Sequence, residues 1–112
     1  MKLRQIVDIL SLTVMAGHAG LDTEVTGGYA ADLVSCAMAG AQKDGLWVTL
    51  QGHLNIVAVA SLLDLAAIIV TENKVVEPEA LAKANEEGIP ILSTPCTTFE
   101  VVGRLWEMGV RR

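Results

Sequence analysis

The chain has 112 residues, 52% hydrophobic, 4% aromatic and 19% charged, with a formal charge of −5. That length fits one domain, spanning 1–112, which buries roughly two-thirds of its unfolded surface without needing a disulfide or a metal. The apolar share excludes long-range disorder, and the acidic balance argues against a nucleic-acid partner, which needs clustered Lys and Arg.

The first predicted element is a helix, because Leu3, Ile6, Val7 and Leu10 repeat at i, i+3, i+4, i+7. Leu12 to Met15 reads as a short strand, and Gly17, His18 and Gly20 break the pattern. Glu24 to Thr26 reads as a second brief strand, ended by Gly27 and Gly28. Asp32 is expected to cap a helix through Met38 that Gly40 closes. Leu46 to Leu50 is a strand, followed by a tight turn at Gly52, His53 and Leu54. Asn55 is expected to cap the next helix, which runs to about Leu63. Ala67 to Thr71 is a continuous apolar strand of the kind buried on both faces. Pro78 suits a first helical position, and Gly88 ends that helix. Ile91 to Ser93 is the last strand. Thr97 and Glu100 form a T-x-x-E box that opens a final helix ending near Gly109. Short β-α-β-α-β-α connections imply a three-layer α/β/α fold with a mainly parallel central sheet.

The compartment is expected to be cytoplasmic. Cys36 and Cys96 read as free thiols of a reducing environment, and the first ten residues lack the apolar core of a signal peptide. The apolar stretch Leu54 to Val70 carries Asn55 and Asp64, so a buried helix and strand explain it better than a membrane span. Arg104, Arg111 and Arg112 read as cations of a helix C-terminus.

Ligands of parallel sheets gather where strand carboxyl ends lead into helix N-termini. The loops in that position carry Gly52, His53 and Asn55, then Thr71, Glu72 and Asn73, then Ser93, Thr94 and Thr97. These nine are the candidate ligand-binding residues for a small anion or nucleotide, and Tyr29 is expected near the same edge. Asn55 and Thr97 also have the plainer reading of helix caps, worth about 1 kcal/mol each. No Gly-Lys pair exists, so there is no P-loop, and G-x-G-x-x-G is absent too; no cofactor is expected. His18, Cys36, His53 and Cys96 match no zinc spacing, so no metal is expected. Cys96 with His53, both expected on the site edge, is the one Cys-His candidate for a catalytic or metal site, and nothing local supports it as a catalytic pair.

The runs Thr26 to Ser35, Leu46 to Ala60 and Glu87 to Thr94 resemble a DRTGG domain over almost the whole chain. More narrowly, they resemble the small stand-alone DRTGG proteins linked with HPr serine kinase and with hydrogenase-cluster regulation. Ala16 to Asp22 is similar to the start of the N-terminal domain of HPr kinase/phosphorylase, which shares an α/β/α fold. By strand position, His53-Leu54 stands at the Asp-Arg of the family name and Thr71-Glu72-Asn73 at its Thr-Gly-Gly; Thr26-Gly27-Gly28 is a different element. Because the kinase chemistry of HPr kinase resides in a separate P-loop domain, the resemblance implies a regulatory, non-catalytic module.

Three readings compete: a self-associating regulatory domain that senses a small anion or nucleotide, a docking module for an HPr-like or hydrogenase-associated protein partner, and a small enzyme or metal site using His53 and Cys96. The apolar surplus favours self-association. The helix after Gly52 is apolar all round and is expected to be buried on every face. The last helix has two stripes: Val101, Leu105 and Met108, and Phe99, Val102 and Trp106. One stripe covers the sheet; the other is expected to cover a second copy in a two-fold dimer.

Overall fold

The computed structural model describes all 112 residues. In chain order the elements are α1 (Leu3–Leu10), β1 (Thr13–Ala16), a 3₁₀ turn (His18–Gly20), β2 (Gly27–Ala30), α2 (Val34–Gly40), β3 (Gly45–Thr49), α3 (Asn55–Leu63), β4 (Ala67–Val70), α4 (Pro78–Glu87), β5 (Ile91–Ser93) and α5 (Thr98–Glu107). They form a five-stranded sheet in the order β1-β5-β4-β3-β2, flanked by helices. β2 to β5 are parallel, and β1 joins β5 antiparallel, with a bulge between Val14 and Ala16. The α/β/α reading with a mainly parallel sheet is therefore borne out.

Strict alternation builds the two cores. Leu46 and Val48 of β3, Ala67 and Ile69 of β4 and Leu92 of β5 face α1 and α5. Trp47, Ile68, Val70 and Ile91 face α2, α3 and α4. Burial on both faces explains why these strands are apolar runs without a polar side. Trp47 is fully buried, and its Nε1–H donates to the Ala31 carbonyl at 2.8 Å, so its one polar atom is satisfied.

The layers are unequal for a topological reason. β2, β3, β4 and β5 are consecutive neighbours, and crossovers of one hand put α2, α3 and α4 on the same face. Only the terminal helices α1 and α5 remain for the other face of five strands. α5 lies on β3. The neighbouring β2, whose Gly28 and Ala30 pair with Leu46 and Val48, is left uncovered on that side.

Several expected boundaries move. The second strand is not Glu24–Thr26: Glu24 makes only an isolated bridge to Lys2, and β2 begins at Gly27. Gly27 lies inside the strand where Arg112 presses on it; a Cβ on Gly27 would sit 2.6 Å from the Arg112 Cβ. Asp32 does not cap α2, whose N-cap is Leu33 without a side-chain bond. Asn55 does not cap α3, because it is already the first helical residue. Nor is α3 buried all round. Ile56, Val57, Val59 and Ala60 are buried, but Ala58 and Leu62 face solvent, because this face has only one layer of helices. The other expectations hold closely: α1 buries all four residues of its stripe, Pro78 is at the start of α4, and Gly88 ends it in the left-handed conformation. No helix is long and apolar enough to cross a membrane.

Candidate functional site

The carboxyl ends of β3, β4 and β5 lead into three loops that hydrogen bonds lace into one rim. The Glu72 N–H donates to the Cys96 carbonyl at 2.9 Å, and the Asn73 N–H to the Thr94 carbonyl at 3.0 Å. Thr71, fully buried, shares a 2.6 Å hydroxyl–hydroxyl bond with Thr98. Thr94 Oγ1 accepts from the Cys96 N–H at 3.2 Å, which closes the turn before α5. The third loop joins through Gly52, whose carbonyl accepts from the Glu77 N–H at 2.9 Å. These bonds satisfy the buried polar groups of the rim, which leaves no unpaired side chain inside it.

The candidate residues therefore divide. Thr71, Glu72, Asn73, Thr94 and Thr97 stand together at the N-terminus of α5. Thr97 caps that helix by accepting from the Glu100 N–H at 3.2 Å. Ser93 ends β5, half-buried between β1 and β4. Gly52 lies under the β4–α4 loop. His53 and Asn55 stand apart and serve each other, the Asn55 N–H donating to His53 Nδ1 at 3.1 Å. Cys96 packs half-buried against the α1/α5 core and shares no bond with His53. No group of three His, Cys, Asp or Glu side chains has metal-holding geometry. Tyr29 is on β2 with its ring against Gly40 of α2.

Two residues of this edge were not among the candidates. Thr98 supplies the partner of Thr71. Asp32, read as a helix cap, instead ties β2 to β3: its Oδ1 accepts from the Leu50 N–H at 2.8 Å and from Thr49 Oγ1 at 3.1 Å. A lone Asp after a strand carries no local sign of a partner that lies 17 residues on. The Thr98 signal was the hydroxyl run of Thr94, Thr97 and Thr98 beside a buried strand end.

The β4–α4 turn carries the most unusual backbone of the rim. Glu72 and Asn73 are consecutive non-glycine residues with φ of 59° and 54°. That conformation costs Glu72 about 1–2 kcal/mol, whereas Asn adopts it readily. It brings the Glu72 carboxylate to 3.4 Å from the Thr98 N–H, at the partial positive charge of the α5 N-terminus. Thr71-Glu72-Asn73 thus has the backbone that a Thr-Gly-Gly would adopt without strain.

The surface concavities lie elsewhere. The roomiest, about 380 Å³, is a polar depression at the opposite edge of the sheet, where Asp44, Asp64 and Glu87 outnumber Lys43. A groove of about 150 Å³, mostly apolar, runs between β2 and α5. The groups with displaced titration are also remote. Arg4 donates to Asp22 at 3.1 Å, and this bond, then the charge itself, holds the Asp22 carboxyl below its ordinary value. Such a pair contributes stability above the carboxylate range that is lost as pH falls through it, and at an exposed site the contribution is small.

The architecture defines a small α/β protein with helices on both faces of a mixed, mostly parallel sheet. The chain belongs to the DRTGG domain family, whose model matches residues 5–108. It is similar in fold to the crystal structure of the CBS and DRTGG domains of the regulatory region of Clostridium perfringens pyrophosphatase, complexed with its activator diadenosine tetraphosphate. The TM-score is 0.75 at 18% identity, with 98% of this chain and 47% of that chain covered. The chain thus spans about half the length of that structure. A search of curated proteins gives no match.

Proposed function

We propose that the chain is a single DRTGG domain acting as a non-catalytic regulatory module, self-associating, that senses a small anion or nucleotide at the carboxyl edge of its sheet. The observation that carries the ligand site is the Glu72 carboxylate held at the α5 N-terminus by a strained two-residue turn. An anion already occupies the position that the helix end favours, and the chain spends backbone strain to put it there. A ligand phosphate replacing that carboxylate lets the turn relax. The opposite, acidic depression repels the same ligand. Membership of a family found in a regulatory region complexed with a dinucleotide supports this class of ligand.

The test is a thermal-shift screen of mononucleotides, diadenosine tetraphosphate and sugar phosphates at millimolar concentration, on the wild type and on Glu72→Gly. Glu72→Gly without ligand is expected to stay within about 1 kcal/mol of the wild type, because the relieved left-handed strain is offset by the lost carboxylate at the α5 N-terminus and by the freer unfolded chain. At least one phosphate ligand is expected to raise the melting temperature, and to raise it more in Glu72→Gly. If no ligand shifts either protein, the sensing role is lost.

The docking reading draws on a different observation, the exposed apolar stripe of α5. That stripe fits a second copy better, as its own residues indicate.

A further inference from the structure

Phe99, Val102 and Trp106 are 91%, 38% and 57% exposed along the outer side of α5. They occur at i, i+3, i+7, so they form one stripe about 10 Å long. Gly103 lies in the same stripe, and a Cβ there would meet nothing within 4 Å. Beside the stripe runs the groove left by the missing helix over β2, with Gly28 and Ala30 on its floor and Trp106 and Val110 in its wall.

We propose that this face binds a second copy of itself, with the two α5 helices antiparallel and crossing at Val102 and Gly103. The proposal rests on the self-associating reading above and assigns its surface. A dyad at the midpoint of 102 and 103 sets Phe99 opposite the partner's Trp106 and Val102 opposite the partner's Gly103. The projecting Phe99 of each copy is then carried to the Trp106 end of its partner, where the groove begins. A knob and a groove on one face, related by such a dyad, make an isologous contact that closes at two. Gly103 leaves room for the helices to approach.

Charge selects the same direction. The N-terminal end of α5 is acidic, with Glu100 and the Glu72 carboxylate at Thr98. The C-terminal half carries Arg104 and Glu107, which offset each other, and then Arg111, lying 5.3 Å over the Trp106 ring, and Arg112, so its balance is basic. Antiparallel pairing sets each acidic end against the partner's basic end, whereas parallel pairing sets like against like. A standard interface takes about 800 Å² from each partner, and the exposed parts of Phe99 and Trp106, 91% and 57%, supply roughly 200–350 Å² of it.

The test places a cysteine at Gly103 or, as a control, at the exposed Leu62 of α3, in a Cys36→Ser, Cys96→Ser background. Gly103→Cys is expected to oxidise to a covalent dimer on a non-reducing gel, and Leu62→Cys is not. Phe99→Asp is expected to weaken dimerisation at least about 30-fold with the circular dichroism unchanged. A monomeric wild type by light scattering overturns self-association altogether. A dimeric wild type that cross-links at Leu62 and not at Gly103, or that survives Phe99→Asp, overturns only this surface.

Discussion

Gly17→Ala is expected to cost about 4 kcal/mol, a large part of the stability of a domain this size. Gly17 has φ of +69°, which charges a Cβ-bearing residue about 1–2 kcal/mol. The greater part is steric. A Cβ there would collide with the Ile89 carbonyl and lie 2.5 Å from the Pro90 nitrogen, both backbone atoms that cannot rotate away. Moving Gly17 outward breaks the 2.8 Å bond from its N–H to Asn85 Oδ1, which ties the end of β1 to α4. Gly88 provides the control, because it has φ of +70° with open space around its Cβ position. Gly88→Ala is therefore expected to cost only about 1 kcal/mol. Urea denaturation of the two variants separates conformation from collision, and equal losses would contradict the steric account.

Gly52→Ala is expected to cost about 3 kcal/mol, at the upper end of the usual overpacking range. No unusual backbone angle is involved. A Cβ on Gly52 would strike the Val75 carbonyl oxygen and lie 2.9 Å from the Val76 Cα. The β4–α4 loop must lift, and the Gly52–Glu77 hydrogen bond goes with it. Because the same loop carries Glu72 and Asn73, the variant is also expected to lose any ligand response of the rim. A melting temperature within about 2 °C of the wild type would show that the loop does not press on Gly52, since about 1 kcal/mol already moves it roughly 4 °C.

Much of the fold was legible because local signals agreed with the final packing. The i, i+3, i+4, i+7 stripe of α1, the apolar run of β4, and Pro78 and Gly88 around α4 each state their structure within a few residues. The two stripes of α5 were legible for the same reason, and the structure leaves the outer one exposed. What was hidden depends on contacts distant in sequence. β2 reads Gly-Gly-Tyr-Ala, with no alternation, because the groove leaves one of its faces bare and Arg112 crowds Gly27. Asp32 and Asn55 look like caps from composition. Only the arrival of β3 beside β2 gives Asp32 its partners, and α3 already begins at Asn55, whose N–H donates to His53 Nδ1.

The candidate site was legible as a place more than as a set of roles. Strand ends pointed to one edge, and Thr71, Glu72, Asn73, Thr94 and Thr97 do meet there. The left-handed turn at Glu72 and Asn73 was not readable, since neither residue type requires it. The family name, with two glycines at that position, was the only hint.

The most direct measurement is a ¹H–¹⁵N NMR titration of the wild type with the ligand that raises its melting temperature most. Amides of residues 71–73, 94 and 96–98, with Gly52 behind them, are expected to shift together and to saturate. Shifts confined to Lys43, Asp44, Asp64 and Glu87 at the opposite edge, or to Arg111 and Arg112, would contradict a ligand site on the carboxyl rim.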